Sequence, residues 1–266
     1  MNKQQSIFKK PKLYAALSAL LLLAGCGSKT GTIDANTPGF FNHYVIYPLS
    51  YLIQHIAAFF GGNYGIAVII ITLMIRLVLL PLMLRQYRSQ QTMRDKMKVM
   101  KPELDKLNEK YKGKTDRESA QKKQQEMMQL YGQHQFNPLS MGCLPMIIQI
   151  PILSGLYYAI KQTPELAQHS FLWFQLGQKD MILPFLAGAI YYVQFRVSQI
   201  GMDSAQQKQM AVMGLLSPVM MAIFSFNAPA AVPLYWVTGG TFMILQTLLS
   251  KKIYGEKTPE IHTQSS

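Results

Sequence analysis

The segment Tyr64 to Met83 is a nearly unbroken apolar run with an arginine, Arg76, in its middle. About 20 apolar residues at a helical rise of about 1.5 Å cover the roughly 30 Å hydrocarbon core of a bilayer. Inside lipid every backbone polar group must find its partner within the protein, so a segment of this kind is helical. A guanidinium near mid-membrane costs about 3 kcal/mol on insertion scales and about 10 or more on an isolated helix. Such a residue faces a partner or water. Arg76 lies nine residues before Arg85, about 13 Å from the end of the span, which is too deep for full snorkelling.

The rest of the chain is built in the same way. Of its 266 residues 49% are hydrophobic and 15% charged, and the apolar ones come in blocks, the pattern of a multi-spanning membrane protein. Spans are expected at about 64–84, 139–160, 181–197, 210–226 and 229–249. None of the five contains an Asp or a Glu, so Arg76 has no acidic partner inside the membrane. Pro145, Pro151, Pro184, Pro218 and Pro233 interrupt the spans, which neighbouring helices or water make tolerable.

Loop charge gives the orientation. The stretch 85–138 holds 13 Lys/Arg and 7 Asp/Glu, the stretch 162–180 one Lys, and 226–232 none; Lys251, Lys252 and Lys257 follow the last span. Basic residues stay on the cytoplasmic side, which puts residues 85–136 and the tail, 253–266, inside and the N-terminus outside. The net charge of +13 then reads as orientation signal and contact with anionic lipid headgroups rather than nucleic-acid binding.

The N-terminus fits that topology. Lys3, Lys9, Lys10 and Lys12 precede a short apolar stretch ending Leu23-Ala24-Gly25-Cys26. This is the form of a secretory signal, and its end resembles the bacterial lipoprotein signal. Residues 1–25 are expected to be removed, with the lipid on Cys26; 26–39 is an external tether. Residues 40–62 carry apolar side chains at helical spacing and read as an amphipathic helix on the outer surface. Cys143 lies in a span and is expected to pack as a small apolar residue. Two cysteines exclude a disulfide framework.

The cytoplasmic segment 85–136 is too polar for the membrane. Met93, Met97, Met100, Leu104, Leu107 and Tyr111 recur at 4-3-4-3-4 spacing, one apolar seam on a helix. Gly113 permits a turn, Thr115 or Asp116 can cap a second helix, and Met127, Met128, Leu130 and Tyr131 continue it. Two such helices pair as an antiparallel hairpin. Its basic surface is either a solvated face near anionic lipid or a landing surface for a nascent chain.

Neutral polar residues on the spans are the candidates to satisfy Arg76. Gln149 lies in span two, Gln194 in span three, and Thr72 one turn before Arg76; Ser154, Ser217, Thr238 and Gln246 are further ones. Together with one arginine they can hold water, which implies a hydrated cavity open to the cytoplasm. Taken singly, Gln149 and Gln194 also suit interhelical hydrogen bonds. Tyr235 and Trp236, at the outer end of span five, also suit an interfacial aromatic belt.

These pieces resemble the YidC membrane-protein insertase family. The residues that carry the resemblance are Ile75-Arg76-Leu77 with Leu80-Pro81-Leu82, Met93 to Lys98, Lys101 to Leu104, Asn137-Pro138-Leu139, Gly142 to Pro145, Gln149 to Pro151, Ile182 to Pro184 and Val232 to Trp236. The N-terminal lipid signal is similar to that of the form lacking a large periplasmic domain. The resemblance implies an all-α integral membrane protein of five helices around a hydrophilic groove, residues 63–252. It places Arg76, Gln149, Gln194 and Trp236 in the groove, makes nascent membrane proteins the clients, and brings in the secretion (Sec) translocon and the ribosome as partners. Some members reach the ribosome through a long basic tail; here residues 250–266 carry only three Lys and two Glu.

No cofactor is expected: the chain has no P-loop, and its five histidines show no metal-ligand spacing. The expectation is an insertase, not an enzyme. A small-anion transporter with Arg76 as its anion site is the alternative, and a structural lipoprotein scaffold the third reading.

Overall fold

The computed structural model describes residues 39–114, 116–136, 143–202 and 204–254. The signal peptide, Cys26, the tether, Thr115, the first residues of span two and the tail beyond 254 lie outside them. Among the described residues the fold is helical apart from one small hairpin. The chain divides into two compact units: one takes in the described part of Met1–Met74 with Ile150–Phe242, the other Ile75–Gln149 with the described part of Met243–Ser266.

In the first unit a π-helical turn, Asn42–Ile46, leads into α1, Tyr47–Phe59. Ile46, Ile53 and Ala57 are buried, while Tyr44, Tyr51, Leu52 and Phe59 face outward. This is the two-faced helix that the spacing over 40–62 predicts. Its inner face is held by α4, Cys143–Gln162, where Gly155 admits Val45 and Leu49 so closely that a Cβ there would lie 3.0 and 3.3 Å from them. The Ser50 and Thr163 hydroxyls form a buried hydrogen bond of 2.9 Å beside it.

A short helix α5, Pro164–Gln168, and a two-stranded hairpin, β1 Ser170–Phe171 and β2 Phe174–Gln175, follow. Helices α6, Leu183–Gln199, and α7, Ser204–Asn227, pack along each other. The last helix, α8, runs from Ala231 to Tyr254. Its start is pinned to the segment after β2 by the Ala230 and Ala231 N–H groups, which donate to the Gln178 and Leu176 carbonyls at 2.7 and 2.9 Å.

Helix α2, Tyr64–Lys110, is 47 residues long, about 70 Å. The first span and the first hairpin helix, expected as consecutive segments 64–84 and 85 onward, are one element. Pro81 and Pro102 both lie inside it. Each removes one hydrogen bond, and the Leu, Met, Arg, Gln, Lys and Glu residues around them are strong helix formers.

In the second unit α2 turns back at Gly113, whose φ of +79° is open to glycine at no steric cost, into α3, Arg117–Gln133. Asp116 caps α3, its carboxylate accepting from the Ser119 N–H at 2.7 Å. Met100 is fully buried against Leu130 and Phe136, with Met93, Met97, Leu104 and Tyr131 around them. Met128 points to solvent, 48% exposed. The inner face of α3 runs through Leu130 and Tyr131, and Phe136, beyond the helix end, joins the same cluster.

Among the described residues, α2 and α8 are each long and apolar enough to cross a membrane; Leu216–Asn227 within α7 is a shorter apolar stretch.

Candidate functional site

Arg76 leaves the apolar half of α2 and meets α4. Its Nη2 donates to the Gln149 Oε1 at 3.4 Å, across 73 residues of sequence. Both side chains are half-buried. The bond is at the long end for N–H···O, and a neutral amide cannot cancel a positive charge. The contact orients the guanidinium.

Thr72, Gln194, Tyr235 and Trp236 belong to the first unit. Thr72 is fully buried, and its hydroxyl donates to the Val68 carbonyl of its own helix at 2.6 Å. Gln194 is half-buried on α6. Tyr235 and Trp236 are 2% and 6% exposed; they pack inside this unit with Ala230 to Leu234 rather than standing out at its surface. Arg196, near the end of α6, is exposed, as an anchoring arginine would be.

The second unit contains polar groups that spacing alone did not single out. Gln86 has both amide atoms shut off from solvent, and neither has a hydrogen-bond partner among the described residues. Burial holds the Arg94 guanidinium below its ordinary range. Lys251, on α8 beyond the last span, is pushed down to about 8, first by burial and then by the like charge of Arg94. Two cations sharing a partly dry space tolerate anions well. One signal pointed here: Gln86, Gln90 and Arg94 prolong the Met97–Met100 face toward the membrane, at spacings of four, four and three.

The hairpin carries an open cleft of about 450 Å³ lined by Glu103, Lys106, Lys110 and Glu126 over Leu107 and Leu130. Lys110 closes one side on Glu126 at 2.6 Å, and His134 meets Glu103 at 3.3 Å. Among the described residues no group of three His, Cys, Asp or Glu could hold a metal ion.

Residues 55–257 match the family model described as 60Kd inner membrane protein. The chain is 49% identical over 245 residues to membrane protein insertase YidC 2 of Listeria monocytogenes serotype 4b (strain F2365), covering 92% of this chain and 88% of that one. The chain belongs to the YidC family of membrane protein insertases. It is 46% identical over 250 residues to membrane protein insertase MisCA of Bacillus subtilis (strain 168), covering 93% of each. Among solved structures, an active YidC insertase with its first transmembrane domain resolved shares the fold, with a TM-score of 0.58 at 24% identity. The match covers 92% of this chain and 53% of that one, so this chain spans about half the length of that YidC. Membership makes the chain a membrane protein, and it agrees with the resemblance carried by Arg76, Gln149 and the Val232–Trp236 segment.

Proposed function

We propose that this chain inserts nascent membrane proteins into the bilayer through a hydrated groove centred on Arg76. The observation that carries the proposal is the Arg76–Gln149 contact, set within spans that contain no acidic residue. A charge held by a neutral amide in a membrane helix needs water or a transient anion beside it.

Five spans built on α2, α4, α6, α7 and α8 enclose the groove. The groove opens to the cytoplasm and to lipid. A client's short polar segment enters from the cytoplasm while its apolar helix slides along the bundle into lipid. The half-channel shortens the dry path on which polar groups lose their hydration. The positive charge draws in an acidic segment, more strongly where water is scarce. No bond is made or broken, and no cofactor is required. The cytoplasmic hairpin receives the client, Cys26 carries the external lipid anchor, and the tail stays inside. The protein works alone or beside the Sec translocon.

Reconstituted vesicles scored for both client insertion and anion flux test the reading. Insertion without flux is expected; flux without insertion would make Arg76 the anion site of a transporter.

A further inference from the structure

The connection between α4 and α6 ends in a shape that the insertase reading does not use. Phe171 pairs with Phe174 across β1 and β2, leaving Leu172 and Trp173 as a two-residue tip. Leu172 has φ +55°, the left-handed region that glycine, asparagine or aspartate normally fills in such turns. Here the strained position holds a leucine 73% exposed, followed by a tryptophan 53% exposed.

Everything beneath the tip is fixed. Phe174, Leu176 and Leu166 are 6%, 0% and 0% exposed. Leu176 N–H donates to the His169 carbonyl at 3.0 Å, and Gly177 N–H to the Ala167 carbonyl at 2.9 Å. Trp173 stands edge-on to Phe174 at 5.3 Å between ring centroids. The Phe171 ring lies so close over Gly65 that a Cβ there would run into it. Gly65 is the second residue of α2, where its apolar run begins. The tip therefore stands at the end of a membrane-length helix. Phe59 and Phe60, 84% and 42% exposed, close α1 at the same end of that run. No Asp, Glu, Lys or Arg occurs between 166 and 178.

We propose that Leu172 and Trp173 form a rigid wedge seated in the headgroup region of the outer leaflet, fixing the height of α2's outer end in the bilayer. The occupant is lipid. Two side chains are far too few for a protein interface, which takes about 800 Å² from each partner. An uncharged tip whose indole has an apolar body and one N–H suits the membrane–water boundary. The inference rests on the five-span reading and its orientation.

The test uses the full chain in vesicles, with Trp173 read as the difference between wild type and Trp173→Phe. Its emission is expected to be blue-shifted and to lose about half its intensity in lipids brominated near the headgroup, with less loss in lipids brominated at the chain ends. Leu172→Asn suits the left-handed backbone, so it preserves the hairpin; it should reduce that quenching. Trp173 open to aqueous iodide and blind to brominated lipid overturns the wedge. Protection from both quenchers assigns the tip to a protein partner and overturns it equally. Val78→Trp in the Trp173→Phe background separates the two layers of the argument, since Val78 is 77% exposed on the first span. If this control is quenched by lipid and Trp173 is not, only the wedge fails. If neither is quenched, the span reading fails with it.

Discussion

Replacing Arg76 should impair insertion in proportion to the client's negative charge. In the structure the guanidinium donates to the Gln149 amide at 3.4 Å, and a neutral amide does not cancel its charge toward an entering carboxylate. At a separation of about 5 Å the attraction is about 3 kcal/mol for an effective dielectric constant of about 20, and about 0.8 kcal/mol in bulk water. These limits correspond to about 150-fold and about fourfold. Arg76→Ala is therefore expected to slow insertion of a single-span client with an acidic N-terminal tail by a factor within that range. The same client with its tail carboxylates changed to amides should slow by less than about twofold, because the charge has nothing to attract. Arg76→Lys keeps the charge, so it should stay within about threefold of wild type. The assay is the protease-protected fraction of client in reconstituted vesicles over time. Equal loss for acidic and neutral tails would refute attraction as the mechanism, and full activity of Arg76→Ala would refute any role for the charge with these clients.

Arg76→Leu should raise thermal stability in lipid by about 1–3 kcal/mol even as it lowers insertion, because a costly charge leaves the span; a lower melting temperature by circular dichroism would mean that the guanidinium is a structural link. Met100→Ala empties a fully buried site in the hairpin and should cost about 2–4 kcal/mol of local stability, read as faster hydrogen exchange along α3; unchanged exchange would place the hairpin's cohesion elsewhere. Lys251 should titrate near 8 rather than 10.5, and Arg94→Gln should raise its midpoint, both measurable by NMR of the isotopically methylated amine. Because its folded value lies below its unfolded one, the native state binds fewer protons, and stability should rise with pH between about 8 and 10.5. A midpoint in the ordinary lysine range would separate Lys251 from Arg94.

What could be read from sequence follows from the range of each signal. The Met93–Tyr111 seam needs only helical periodicity, and the packing of Met100, Met97 and Leu104 follows it. The direction of Met128, 48% exposed, could not be read, since Met127 and Met128 are adjacent and periodicity alone does not decide which of them turns inward. The continuity of α2 was hidden by a change in composition at Arg85, although hydrogen bonding continues across it. The β1–β2 hairpin has two-residue strands and lacks the Asn-Gly or Gly turn that marks such hairpins, so neither alternation nor turn chemistry revealed it. The Arg76–Gln149 contact spans 73 residues; it was legible only because polar groups are scarce in spans and must face one another. Gln86 escaped because a glutamine at the end of a span looks like an ordinary boundary residue, and only its enclosed amide distinguishes it.

The central claim is that a client's polar segment passes beside Arg76. Photo-crosslinkers placed one at a time at positions 76, 149 and 194, against a ribosome-stalled client of increasing length, test it most directly. The account predicts adducts from all three positions to the client's polar segment at intermediate lengths, fading once its apolar helix has entered lipid. Adducts confined to lipid-facing control positions such as Val78, with none from 76 or 149 at any length, would contradict it.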